Sequence, residues 1–173
     1  MRRLRYQVAT SLDGYIAGPN GEFDWIVMDP DIDFAALFAQ FDTAVMGRKT
    51  FLATQQQGEG GALRDLDVVV FSRTLRPSDY PGVSIVGGDP VEQVRSLKEK
   101  PGKDIWLFGG GELFRTLLAA GLVDTVEPAV VPVLLGEGIP MLPSPPARTR
   151  LLLRSHRLYP QSGIVLLEYA VGR

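Results

Sequence analysis

The residues of this chain that could do chemistry collect at the ends of apolar runs. Residues 104–114, DIWLFGGGELF, pass from a strand-like segment into Gly109, Gly110 and Gly111 and then into a helix-like one. Consecutive glycines let a backbone approach a ligand closely, and the unpaired N–H groups of a helix start favour an anion such as a pyrophosphate. The spacing is not GxGxxG, so the usual dinucleotide fingerprint does not apply. Residues 45–51, VMGRKTF, repeat the arrangement. Gly47 closes an apolar run, and Arg48, Lys49 and Thr50 put two cations and a hydroxyl where a helix begins. Residues 70–74, VFSRT, carry Ser72 and Arg73 in the same relation to a strand. Each motif alone also reads as a tight turn or a solvated surface. Three such ends at the carboxyl edge of one parallel sheet would seat a nucleotide with several phosphates.

Composition narrows the alternatives. With no Cys and one His, the chain excludes thiolate nucleophiles, disulfides, Cys-based zinc or iron–sulfur sites and multi-histidine metal centres. No metal is expected. Eighteen Lys+Arg against 20 Asp+Glu give a net charge of −2 and no general footprint for nucleic acid. What remains is carboxylate, hydroxyl and backbone chemistry, or a bound organic cofactor. Asp13 in an LDG turn and Asp31 at the start of a helix-like run are candidate carboxylates, with Asp29 and Asp33 beside the second. His156 reads as a solvent-facing strand residue and Trp106 as core.

Positioning these groups requires alternating elements. Strands are expected over 3–10, 43–47, 67–72, 83–87, 104–109 and 125–134, then 148–160 and 163–171 around a PQSG turn. Helices are expected over 31–41, from Arg48 onward, over 89–100 with Asp89 as cap and Pro90 first, and over 110–121. The glycine-rich 58–61 and proline-rich 143–148 segments read as loops. This order predicts one α/β domain over 1–173, with a mainly parallel sheet and an antiparallel C-terminal edge hairpin. Gln7, Thr10, Ser11 and Asp13 interrupt the N-terminal run, and no stretch reaches the ~20 apolar residues of a spanning helix. A cytoplasmic protein with no membrane partner is expected.

In order, SLDGYIAGPNGEFDWI, VMGRKTF, VVFSR, WLFGGGELF, GLVD and PVLLGEGIP resemble the dihydrofolate reductase superfamily. They resemble more closely its branch containing the reductase domain of the bifunctional riboflavin-biosynthesis enzyme. The resemblance covers nearly the whole chain, and no zinc-deaminase signature accompanies it. It implies a three-layer α/β/α sandwich and an NADPH-dependent reductase acting on a C=N or C=O of a small pterin- or pyrimidine-like substrate. It places Ala9, Thr10, Ile16 and Gly18 along the nicotinamide and its ribose, with Trp25 against the cofactor. Gly47, Arg48, Lys49 and Thr50 would hold the pyrophosphate and adenosine side, and Ser72 and Arg73 the 2′-phosphate. Phe108, Gly109, Gly110, Gly111, Glu112 and Leu113 would embrace the pyrophosphate, with a cis peptide between the first two glycines. Asp31 matches the superfamily's helical acid and is the expected catalytic residue; with Asp13 it is also expected to face substrate.

The substrate side departs from both branches. Phe23 stands where the riboflavin branch has a serine, Phe108 where it has an acid, and Ile32 and Asp33 where it has basic residues. Ala129 replaces the strand threonine of the folate enzymes. Two rivals stay open beside the general reductase. One is a 5-amino-6-(5-phosphoribosylamino)uracil reductase or a dihydrofolate reductase proper; the other is a non-catalytic NADP-binding regulatory module. The apolar C-terminal strands and the resemblance together suggest a homodimer.

Overall fold

Apolar side chains alternate along the central strands, and the sheet sorts them onto two faces. The computed structural model describes residues 1–56, 62–144 and 147–172. The 58–61 segment and part of the 143–148 loop lie outside the described residues. In chain order the elements are β1 (Leu4–Ser11), β2 (Tyr15–Ala17), α1 (Phe34–Phe38), β3 (Phe41–Gly47), α2 (Arg48–Gln56) and β4 (Asp67–Phe71). There follow β5 (Val83–Val86), α3 (Pro90–Glu99), β6 (Asp104–Gly109), α4 (Gly111–Ala119), β7 (Thr125–Val131), β8 (Ile139–Pro140), β9 (Leu151–Tyr159) and β10 (Ile164–Val171).

One 8-stranded sheet runs β5-β4-β3-β6-β1-β7-β10-β9. Its strands from β5 to β7 are parallel, and β10 and β9 close it as an antiparallel hairpin. This is the expected mainly parallel sheet with an antiparallel edge. Leu4, Tyr6, Val45, Val69, Ile105 and Leu107 pack on one face against Val94 of α3 and Phe114 and Leu117 of α4. Ala44, Met46, Val70 and Trp106 pack on the other against Phe51 of α2 and Phe38 of α1. Helices therefore cover both faces, giving three layers. Among the described residues, no helix is long and apolar enough to cross a membrane.

The capped helix is close to its expected span: the Asp89 carboxylate accepts from Val91 N at 2.9 Å, and α3 starts at Pro90. The first helix is not. The sequence spacing predicted 31–41, whereas α1 covers only Phe34–Phe38 and Asp33 caps it through Ala36 N at 2.9 Å. Phe41 instead begins β3, pairs in register with Asp104 and stacks on Trp106 at 5.6 Å between ring centroids. Strand pairing and aromatic burial outcompete the helical spacing of four aromatic and leucine positions. Two other strands are also shorter than expected: β7 stops at Val131 and β9 begins at Leu151. The small β2–β8 sheet was not foreseen, being too short for any periodicity to show.

Candidate active site

The parallel strands finish on one line. In register, Gly47 sits beside Phe71, Phe71 beside Val86, and Met46 beside Gly109. The VMGRKT, VFSRT and glycine-turn motifs are therefore brought to one carboxyl edge, as the sequence predicted. Beyond β4 and β5 lies a cleft of about 450 Å³ lined by Ser72, Arg73, Gly87, Gly88, Asp89 and Pro90, with Phe71 and Val86 behind. Arg48 reaches into the same neighbourhood, donating from Nη1 to Thr74 Oγ1 at 2.8 Å. Ser72 Oγ accepts from Thr74 N at 3.2 Å and Leu75 N at 3.1 Å, which pins the loop that carries Arg73. Lys49 and Arg73 are exposed.

The glycines here divide into two kinds. A Cβ on Gly109 would lie 3.3 Å from Thr50 Cγ2, one on Gly110 3.1 Å from Thr50 Oγ1, and one on Gly111 2.7 Å from Pro140 O. Gly109 also has φ +153° and precedes a cis peptide to Gly110. The fold's own packing accounts for this run. Gly47 differs: a Cβ there would meet nothing within 4 Å. At Gly87 and Gly88 the nearest atoms would be 3.6 and 4.0 Å away, which is ordinary contact. None of these three has a positive φ. Neither backbone nor packing demands glycine at them, and all three border the strand-end site. Glycine at these three positions leaves the backbone open to close approach from outside.

Helix α4 starts at Gly111 without a side-chain cap. The Leu113 side chain is core, so it can offer a ligand only its backbone. Glu112 is exposed, with Oε2 3.4 Å from Arg115 Nη1. Phe108 is half-buried, edge-on to Trp106 at 4.8 Å.

On the β1 side, Ala9 and Ile16 are half-buried and Thr10 is buried. The Thr10 hydroxyl is 3.1 Å from Ser11 O and 3.2 Å from Tyr15 O. A side chain at Gly18 would meet the carboxylate of Glu22, an exposed side chain that can swing aside. Trp25 packs with Ile32 and Ala129 on the cluster of Val131, Tyr159 and Ile164, and its indole N–H donates to Glu22 O at 3.1 Å.

The candidate carboxylates all have partners. Asp13 accepts from Ser11 Oγ at 2.6 Å, Gly136 N at 2.8 Å and Leu135 N at 3.1 Å, and these bonds, Ser11 first, hold its pKa below the usual carboxylate range. Asp29 is 2% exposed; it accepts from Asp31 N at 2.9 Å and Ser162 N at 3.0 Å, tying its loop to the β9–β10 turn. Bonding to Ser162 is the main cause that lowers its pKa. Asp31 precedes α1, is exposed, and accepts from Gln161 Nε2 at 3.0 Å. Asp33 is the α1 cap.

Sequence reasoning missed Gly87 and Gly88, although a glycine pair between a strand and a capped helix start is a readable signal. It also missed a buried ion pair. Arg5 grips Glu127 with Nε to Oε1 at 2.8 Å and Nη2 to Oε2 at 2.7 Å, both side chains under a tenth exposed. Burial works against the Arg5 charge, but Glu127 and then Asp104 outweigh it and push its pKa up.

Sheet order and helix layers define a dihydrofolate-reductase-like α/β fold, with a cleft at its carboxyl edge. The chain belongs to the RibD C-terminal domain family, whose family model matches residues 2–165. This is a family of NAD(P)H-dependent reductases. The uncharacterized protein YyaP of Bacillus subtilis is 37% identical over 179 residues, covering 97% of this chain and 94% of that protein. A structure described as a putative riboflavin biosynthesis protein from Shewanella sp. PV-4 superposes with TM-score 0.83 at 28% identity, covering 100% of both chains. Dihydrofolate reductase from Enterococcus faecalis, complexed with NADP(H), superposes with TM-score 0.68 at 18% identity, covering 99% of this chain and 97% of its own. That last likeness establishes the fold.

Proposed function

We propose that this chain is an NADPH-dependent reductase that delivers hydride to a C=N or C=O of a small heterocyclic substrate. The observation that carries this reading is the cleft in which Gly87 and Gly88 lie open beside Ser72 and Arg73. Arg73, with Arg48 braced on Thr74, supplies cationic donors for a 2′-phosphate. Gly47 lets the backbone between β3 and α2 come against the phosphates, and the uncapped start of α4 offers N–H groups to them. When bound, NADPH supplies the hydride. Ala9 and Trp25 shape the wall beside the nicotinamide, and Thr10 ties that wall to β2. In this reading Asp31, exposed and bonded to Gln161 of the β9–β10 turn, would relay a proton through water to the reduced substrate. Lys49, Thr50, Ile16, Gly18, Phe108 and the 109–113 turn complete the cofactor's surroundings in this reading.

Titrating the protein with NADPH and NADH while following tryptophan fluorescence tests the proposal. Binding of NADPH at least ~tenfold tighter than NADH is expected, and no saturable response to either would sink it. A rival reading, a nucleotide-binding module without turnover, draws on one observation: Asp13, Asp29, Asp31 and Asp33 each already accept hydrogen bonds within the protein. Oxidation of NADPH with any member of a pterin, pyrimidine and carbonyl panel decides against it.

We also infer a homodimer. Strand β9 is the sheet's outer edge, with Leu152, Leu153 and Leu158 at 44, 53 and 58% exposure. An open edge strand of this kind is a template for pairing with a second copy. Sedimentation showing a monomer at all concentrations would remove this part alone.

A further inference from the structure

Residues 132–143 form a strap that leaves the end of β7 and reaches the first turn of α4. None of them is buried, and Leu134 is 70% exposed. The strap's ends pack against the core through Val133 and through Met141 and Leu142. Between those anchors apolar packing has little to grip, so hydrogen bonds must set the course of the chain. Asp13 supplies them. Its carboxylate accepts from Leu135 N at 3.1 Å and from Gly136 N at 2.8 Å. Ser11 Oγ donates to the same carboxylate at 2.6 Å and accepts from Tyr15 N at 2.9 Å. One acid thus ties the crest of the strap to the turn between β1 and β2.

Beyond the crest the strap lies between two parts of the fold. On one side β8 pairs with β2, and Met141 N donates to Gly14 O at 2.9 Å. Gly138, at φ +155°, has no room for a Cβ beside Ala17 O. On the other side, a Cβ on Gly111 would lie 2.7 Å from Pro140 O and 3.1 Å from Met141 O. The strap is therefore the spacer between the β1–β2 turn and the start of α4. Those are the places that the reductase reading gives to the nicotinamide half and to the pyrophosphate of one cofactor. A spacing fixed before binding lowers the ordering cost of a ligand that must touch both.

We propose that Asp13 is a positioning residue: its carboxylate pins the strap at Leu135 and Gly136, and so presets the spacing of β2 and the first turn of α4 for a dinucleotide. The inference rests on the reductase reading and goes beyond it, placing Asp13 in the support of the site instead of against substrate. The test compares NADPH with adenosine 2′,5′-bisphosphate, which lacks the nicotinamide half. Asp13→Ala should weaken NADPH binding at least ~tenfold, the scale of one lost charged hydrogen bond, and leave the bisphosphate's affinity unchanged. Asp13→Asn should rescue NADPH binding, because an amide oxygen can take the two N–H groups while its NH₂ donates to Ser11. Gly138→Ala, which displaces the strap from Ala17 O with Asp13 intact, should repeat the alanine pattern. Unchanged NADPH affinity in Asp13→Ala overturns the proposal. Equal loss of both ligands overturns it too, as the mark of general damage, and so does an Asp13→Asn variant as weak as Asp13→Ala. Hydrogen exchange in the unsubstituted protein needs no variant to fold: the Leu135 and Gly136 amides should be protected, and free exchange at both would sink the idea. If the unsubstituted protein binds no NADPH, the reductase reading falls and this role with it; if it binds NADPH and Asp13→Ala binds it equally well, only the Asp13 role is lost.

Discussion

Arg48 Nη1 lies 2.8 Å from Thr74 Oγ1, a bond that joins the first residue of α2 to the loop following β4. Two strand ends that are separate in sequence thus share one cationic corner. Thr74 also meets Ser72 through its backbone N–H, so hydrogen bonds link the Arg48 guanidinium to both hydroxyls on either side of Arg73. Holding these groups in place before an anion arrives lowers the ordering cost of binding it.

Arg73→Ala should therefore weaken NADPH binding far more than NADH binding. A charged hydrogen bond contributes ~1.5–3 kcal/mol, which corresponds to a loss of roughly ten- to a hundredfold. Calorimetric titration with both cofactors checks this. Equal losses for the two would remove the 2′-phosphate assignment.

Gly47→Ala separates the ligand reading of that residue from a structural one. With no atom within 4 Å of a Cβ and no positive φ, the fold should tolerate alanine, even gaining up to ~1 kcal/mol from a less flexible unfolded chain. On the proposed reading NADPH affinity should drop at least ~tenfold, because the added methyl would take space that the cofactor's phosphates need. A melting temperature kept or raised, together with lost cofactor protection against heat, is the expected pattern. Unchanged affinity would return Gly47 to an ordinary loop glycine.

Asp31→Asn should lower turnover by ~10²-fold, the lower range for a lost proton donor, while leaving NADPH affinity nearly unchanged. Its bond to Gln161 can survive as an amide–amide contact, so the fold should hold. A variant as active as the parent, with the same pH–rate profile, would exclude Asp31 as the proton source.

Acid stability should depend on Asp29. Its pKa is lowered in the folded state by Ser162, so its contribution to stability is full above the ordinary aspartate value of ~3.9. That contribution disappears as pH falls through the lower, folded-state value. Asp29→Asn should be less stable than the parent at neutral pH and converge toward it below pH ~3. Denaturant melts at several pH values measure this, and parallel stability curves would rule out the linkage.

The Arg5–Glu127 pair should behave as buried pairs do when halved. Arg5→Met alone should cost ~3–5 kcal/mol, because it leaves the Glu127 charge buried without its counterpart, and Glu127→Gln should cost less, because Arg5 keeps Asp104. The double variant Arg5→Met/Glu127→Leu should recover most of that loss. Additive destabilisation in urea melts would show that the two residues act independently.

Much of this arrangement could be read from the chain itself. Asp89 and Pro90 mark the start of α3, and apolar runs ending in Gly47, Ser72 and Gly109 mark the strand ends that carry the site. What stayed hidden depends on partners far along the chain. Phe41 leaves a helical pattern for a strand because Asp104 and Trp106 await it. Gly109 to Gly111, the most conspicuous motif, are explained by Thr50 and Pro140, which no local spacing reveals. Gly87 and Gly88, less conspicuous, carry the stronger ligand argument. The bonds that Asp29 and Asp31 make come from Ser162 and Gln161 in the terminal hairpin, beyond the reach of any motif around those acids.

The position of β6 between β3 and β1 has a consequence for how the molecule is made. Strands β3, β4 and β5 are adjacent both in sequence and in space, so the cationic corner can assemble from a contiguous stretch of nascent chain. Strand β1, synthesised first, pairs only with β6 and β7 and must wait for both. Such long-range closures are the slow steps of folding. The two halves of the cleft thus differ in the chain separation they must bridge, and the half that would position the substrate depends on the longer closures.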